Sequence, residues 1–386
     1  MREKHSALRK AAPSLIAILV GFIVGLIIIV ATNPSAAGEA IPEFFKGPLV
    51  NGRAGVGNLF YHAVPLLLCG LAVGFAFQTG LFNIGASGQF LIGGFISILL
   101  SSRLSQLVPS PLMWPLALLS AALFGALLAS IVGVLKAYRN VNEVITCIML
   151  NYIVMYVVND LIKRLHVYDQ LRNTTIAVAT HVPSMGMDIL FPGTIAGGGF
   201  FIGVVMVILL HFILKKTTLG YEMKGVGLNR FAAKYAGINE KASIIKSMAI
   251  AGAMAGLGGG LFYLSGAGTA IAVANVLPQE GFDGIAVSLL GLNEPIGILL
   301  SALFFAYLKM GGQAIQTLGY APELITIIIS FILYVSALSV LFRQLLDRRT
   351  KSPIDEGAAK AHAATPPAPV AGERGDHNPE EKGGAQ

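Results

Sequence analysis

The chain has 386 residues, of which 55% are hydrophobic and only 12% charged, with a mean hydropathy of +0.72. Soluble domains carry roughly 25% charged residues, so a single soluble globular fold is excluded. The formal charge of +7 gathers at the N-terminus and in one central stretch, where it reports membrane topology and gives no reason to expect nucleic acid as a partner.

Apolar runs of spanning length recur along the chain, which predicts an all-α polytopic membrane protein. Residues 1–12 carry Arg2, Lys4, Arg9 and Lys10, the signature of a cytoplasmic N-terminus. The membrane domain is expected over 13–343, beginning with an uncharged run at 15–31. That run is longer than a signal-peptide core, although Ser35, Ala36 and Ala37 supply small residues nearby. Residues 32–58, with Pro, Gly, Asn, Glu39 and Glu43, read as the first external loop. A second span follows at 59–77.

Residues 78–94, QTGLFNIGASGQFLIGG, are unusual for a lipid-facing helix, with Gln78, Asn83, Ser87 and Gln89 set among five glycines. Polar groups and broken backbone survive at membrane depth where protein or a water-filled cavity surrounds them. The segment is therefore expected to face the interior as a discontinuous helix with Asn83 at its start, either lining a pathway or packing through satisfied amides. Residues 111–135 form the next span, closed by Lys136 and Arg139. In NVNEVITCIMLN (140–151), Asn142 is placed to cap a helix that opens on Glu143, where the helix dipole favours a carboxylate. Simple capping and a role near the pathway both fit this motif. The span reaches 161. Residues 162–197 then read as an external loop in which Lys163, Arg164 and Arg172 depart from the positive-inside pattern, either as a docking surface or as a tolerated exception.

After a span at 198–214 comes the basic stretch 215–246, in which Lys215, Lys216, Lys224, Arg230, Lys234, Lys241 and Lys246 outnumber Glu222 and Glu240. It reads as a cytoplasmic loop. Asn229 can cap a short helix over 230–236, Gly237 can end it, and Phe231 and Tyr235, four apart, share one face. Asn239 can cap the helix that re-enters the membrane. A loop that only fixes topology is the alternative to a docking element. Residues 247–264 span again. A second irregular region at 265–292 ends in QEGFDGIAVSLLG, with Glu280 and Asp283 expected at an interface or a cavity. Spans at 295–310 and 322–342 bring the count to about ten, including broken or re-entrant segments. Arg343, Arg348, Arg349 and Lys351 mark a cytoplasmic C-terminus, and residues 344–386 form a cytoplasmic, largely disordered tail, rich in Ala, Pro and Gly beyond 352. Cys69 and Cys147 lie apart in apolar runs and suit small core positions rather than a metal site. No phosphate loop, HExxH, GxSxG or paired Cys/His cluster occurs, so no intrinsic catalytic site is expected.

Four segments in order, QTGLFNIGASGQFLIGG, NEVITCIMLNY, LGYEMKGVGLNRFAAKYAG and GFDGIAVSLLG, resemble the permease subunits of ABC importers. The branch is the one shared by sugar, branched-chain amino-acid and nucleoside uptake systems, and the resemblance covers about 59–341. The form Gly80–Gly85 followed by Gly88 and Gln89 is most similar to nucleoside-type permeases; ribose-type permeases usually carry an acidic residue near Asn83, which is missing here. The resemblance implies an ABC importer permease fold without a cofactor of its own, with ATP bound by a separate ATPase. It also implies a second permease, an extracytoplasmic binding protein and a small-molecule substrate. Phe82, Asn83, Gln89, Asn142 and Asn151 are then expected near the pathway, with Phe82 stacking on a base and the amides bonding base or ribose edges. Arg230, Phe231, Ala233, Lys234, Tyr235 and Gly237 fall on the coupling helix, Arg230 and Lys234 facing carboxylates of the ATPase. A sugar permease and an ion-coupled secondary transporter are the alternatives. Against the second stand the docking-type helix and the lack of a charged pair deep in the spans.

Overall fold

The computed structural model describes residues 19–178 and 180–337. The basic N-terminus 1–12, the end of the last expected span and the tail 344–386 lie outside the described residues. Among those described, seven helices are long and apolar enough to cross a membrane: α3 (Gly52–Gln78), α4 (Ala86–Leu104), α5 (Ser110–Arg139), α6 (Glu143–Arg164), α8 (Gly199–Lys216), α11 (Glu240–Tyr263) and α13 (Pro295–Gln316). Three further apolar helices are α1 (Leu19–Thr32), α12 (Gln279–Leu290) and α14 (Glu323–Ala337). With them the apolar helices number ten, as the sequence predicts. The 12 residues of α12 extend about 18 Å at 1.5 Å per residue. That is too short for a hydrocarbon core of about 30 Å, so α12 is the expected broken segment.

Residues 32–58 are not a plain loop. They hold α2 (Ala37–Lys46), a 3₁₀ turn at Gly47–Leu49 and the first turns of α3. Gly38 and Pro42 read as breakers, yet α2 forms because Ala37, Ala40 and Phe44 share one face and bury it, while Glu39 and Lys46 face out. Tyr307 of α13 donates its hydroxyl to Phe45 O at 2.6 Å, which fastens α2 to the second half of α13.

Likewise, α6 runs to Arg164, beyond the expected end at 161. Lys163 and Arg164 occupy its last turn, where the helix dipole favours cations. Arg164 pairs with Asp160 at 2.6 Å, and Lys163 lies over the Tyr168 ring at 6.0 Å. Their departure from the positive-inside pattern is thus balanced locally. The following segment forms a small hairpin, β1 (Tyr168–Asp169) with β2 (Thr174–Thr175), and a short helix α7 (Met187–Leu190). Thr175 N–H donates to Ile271 O, which ties the hairpin to the irregular stretch before α12.

At the centre stands α11, packed on α5, α4 and α3, with α12 and α13 on the other side of α3. In lipid the apolar effect does not hold helices together, so close backbone approach must. A Cβ on Gly256 would fall onto Ala121 O of α5, and one on Gly93 of α4 would fall onto Gly256 itself. The three helices therefore meet backbone to backbone at small residues, Gly93, Ala121 and Gly256. Replacing Gly256 by Val is expected to destabilise the fold by on the order of 1–3 kcal/mol, read as a lower melting temperature of the purified protein. Gly38→Ala in α2, where no atom lies within 4 Å of the new methyl, is expected to leave the melting temperature unchanged or slightly raised.

Candidate functional site

The polar segment between α3 and α4 turns sharply at Gly80, whose φ is +71°. Asn83 and Gln89 then close on each other. Asn83 Nδ2 donates to Gln89 Oε1 at 2.8 Å and Gln89 Nε2 donates to Asn83 Oδ1 at 2.9 Å. Asn83 is 0% and Gln89 1% exposed. Asn83 is not the cap expected of it, because the N-cap position belongs to Gly85, which offers no side chain. The open N–H of Gly88 is met from another helix: Asn151 Oδ1 of α6 accepts it at 2.9 Å, and Asn151 Nδ2 donates to Ile84 O at 3.1 Å. The Cys147 thiol lies 3.8 Å from Asn83 Oδ1. Asn83, Gln89 and Asn151 therefore form one buried cluster whose amides are satisfied within the chain.

Two helix starts meet beside this cluster. Ser87 Oγ donates to Pro278 O at 2.6 Å, and Gly281 of α12 lies so close to the Ser87 backbone that a Cβ would not fit. Gly284 packs on Cys69, nine residues before the end of α3 at Gln78. At 1.5 Å per residue this puts the start of α12 roughly 14 Å or more inside the end of α3. Both α4 and α12 thus begin at depth, the arrangement that transporters use around a substrate site.

The remaining expected pathway residues separate. Phe82 is half-buried and packs on Phe77 with ring centroids 5.1 Å apart. Asn142 stays outside the cluster. It is exposed and caps α6, accepting from Val144 N–H at 2.9 Å and Ile145 N–H at 3.4 Å, while Glu143 pairs with Lys136 at 2.8 Å. An additional polar site lies between α12 and α13. Lys309 Nζ pairs with the buried Asp283 Oδ2 at 2.6 Å, at the wall of a cavity of about 250 Å³. The expectation that the spans hold no deep charged pair is therefore corrected. Lys309 stood alone near the end of an apolar run, and only the fold brings Asp283 to it.

The basic stretch folds into two helices, α9 (Thr218–Leu228) and α10 (Arg230–Tyr235). Asn229 caps α10 as expected, accepting from Phe231 N–H and Ala232 N–H at 3.0 Å, and Gly237 ends it at φ +83°. Asn239 caps α11 through Ala242 N–H at 3.1 Å. The helix α9 escaped the sequence reading because its three glycines hide the pattern, but Thr217 caps it and Gly220, Met223 and Val226 bury one face. Phe231 is 77% and Tyr235 95% exposed, on one face of α10, with Leu228 and Tyr221 also bare. Ala233 points the other way and is buried. Arg230 is not free to face a partner, since it holds Glu240 at 2.7 Å. Lys234 is exposed.

A continuous contact joins this surface to the amide cluster. Gly227 of α9 abuts the backbone at Gln78 and Gly80, where only glycine fits. Ala233 and Val226 share one apolar cluster with Leu81, Cys147, Ile244 and Met248.

The family model for the branched-chain amino acid transport system, permease component, matches residues 55–337. The chain belongs to this permease family. The family is one of transport permeases rather than enzymes, and the chain is a multi-pass membrane protein of that kind. It is 34% identical over 363 residues to the nucleoside ABC transporter permease protein NupB of Lactococcus lactis subsp. cremoris (strain MG1363), covering 91% of this chain and 97% of that protein. It is also 34% identical over 345 residues to the guanosine ABC transporter permease protein NupP of Bacillus subtilis (strain 168), covering 87% and 96%. A second permease of the same L. lactis strain, the nucleoside ABC transporter permease protein NupC, is 27% identical over 291 residues, 71% of this chain and 90% of that one. No solved structure matches.

An unpaired buried amide costs about 1–3 kcal/mol. Asn83→Leu is expected to lower stability by that amount, because it orphans both ends of the Gln89 amide. Adding Gln89→Leu should recover part of the loss, a non-additivity that a double-mutant cycle on the melting transition detects.

Proposed function

We propose that the chain is the membrane permease of an ABC importer for nucleosides, purine nucleosides foremost, working with a separate ATPase, a second permease and an extracytoplasmic binding protein. The observation that carries this reading is the end-to-end similarity to NupB and NupP, both of which are named for nucleoside or guanosine transport. The match to NupC, from the strain that also has NupB, supports a pair of unlike permeases. No catalytic residue is required of this chain. Its work is to open a path on one side at a time, with the energy supplied by ATP on the partner.

In this reading α9–α10 is the docking element for the ATPase. A six-residue helix with two bare aromatic side chains fits a groove on a partner, with anchors at i and i+4. The shared apolar cluster and the Gly227–Gly80 contact give motion at α10 a direct route to the start of α4. The Asp283–Lys309 pair removes one reason for setting aside an ion-coupled transporter; family membership and the exposed anchors favour the ATP-driven reading. Lys and Arg crowd the α9–α10 end of the bundle, at Lys136, Arg139, Lys215, Lys216, Lys224, Lys241 and Lys246, which supports a cytoplasmic location for it in the plasma membrane.

Phe231→Ala with Tyr235→Ala is expected to leave insertion and permease pairing intact while abolishing ATPase co-purification. Each lost anchor should weaken docking on the order of 10-fold or more. Retention of the ATPase and wild-type nucleoside uptake would return α10 to a purely topological loop. Reporter fusions at residue 1 and residue 386 are expected to give cytoplasmic signals at both ends; an external signal at either reverses the topology.

A further inference from the structure

The cavity between the start of α12, the second half of α13 and α14 has about 250 Å³ of space. Its polar wall is Gln279, Asp283, Lys309, Gln313, Thr326 and Ser330, with Ile325 and Ile329 supplying an apolar side. Lys309 and Asp283 hold each other at 2.6 Å, and Gln279 Nε2 donates to Asp283 Oδ1 at 3.3 Å. Oδ2 is shut away from solvent behind Lys309, while Oδ1 keeps a lone pair beyond the Gln279 contact and the partly exposed ammonium keeps N–H donors for a ligand. Two charges in apolar helices are expensive to bury, and a lone staple between α12 and α13 could be built from neutral groups. Gln313, Gln316 and Thr326 are exposed, so the cavity opens on one side of the chain.

We propose that this cavity binds the base of the transported nucleoside, and that Asp283 and Lys309 read an edge with two adjacent donors beside an acceptor, as in guanine. The proposal rests on the nucleoside reading above. Asp283 Oδ1 and the neighbouring amide oxygen of Gln279 accept the two ring-edge N–H groups, the ammonium donates to the neighbouring carbonyl oxygen, and the isoleucines take the ring face. Adenine offers one donor and one acceptor on that edge, so it makes one bond fewer. The volume lies just under the roughly 300–1,000 Å³ of drug-sized sites, which suits a ligand no larger than a nucleoside.

The test uses the assembled complex in lipid nanodiscs, without binding protein, so that the permease alone is read. Ser330→Cys places a reporter thiol on the cavity wall, while native Cys69 and Cys147 are buried. Guanosine is expected to slow maleimide labelling of that thiol, and adenosine to need an about 10- to 100-fold higher concentration for the same effect, the discrimination a bidentate base contact supplies. Adding Asp283→Asn should remove guanosine protection and leave that by adenosine. The proposal is overturned if guanosine gives no protection, if the two nucleosides protect at equal concentration, or if Asp283→Asn leaves the guanosine dependence unchanged. Should Asp283→Asn not assemble, the guanosine-to-adenosine ratio on Ser330→Cys alone decides. Uptake by cells separates the two levels. Nucleoside import without protection removes only this site, whereas no nucleoside import removes the functional reading as well.

Discussion

Every backbone N–H that starts a helix inside a bilayer must find its partner in protein, because lipid offers none. At the start of α4 one such group, the Gly88 N–H, is met from another helix, within a wider set of buried polar contacts. Asn151 reaches across from α6 to take the Gly88 N–H, Asn83 and Gln89 close on each other, and Ser87 donates to the carbonyl that precedes α12. Remove any of these amides and a buried polar group is left without water or partner. The cluster thus fixes how α3, α4, α6 and α12 meet, before any question of what passes beside them.

The glycines complete that geometry. Contact between α11, α5 and α4 is made by backbone, with Gly93, Gly125, Gly252 and Gly256 at the crossings. At these crossings backbone meets backbone with no side chain between, so these three should move as one body. The irregular chain before α12 and the segment α9–α10 lie outside that joint, though Gly281, Gly284 and Gly227 make backbone contacts of their own with α4, α3 and Gly80.

Much of this was legible in the sequence wherever a local rule decides the outcome. Asn142, Asn229 and Asn239 cap the helices expected of them because a cap needs only its own next three residues. The polar run 78–94 could be read as interior because lipid excludes it. Partners from distant helices could not be read. Nothing near Gly88 says that Asn151, 63 positions on, will take its N–H, and nothing near Lys309 points to Asp283, 26 positions earlier. The helices α2 and α9 were hidden by Gly and Pro, which local propensity penalises and tertiary burial of one face overrides.

The internal use of Arg230 has a consequence for association. With its guanidinium held by Glu240, and Ala233 and the Asn229 cap fixing the turn, α10 is formed before any partner arrives. Docking then orders few groups that were loose beforehand, and its main contribution is apolar. A complex formed on this surface should therefore have a negative heat-capacity change, the mark of apolar burial.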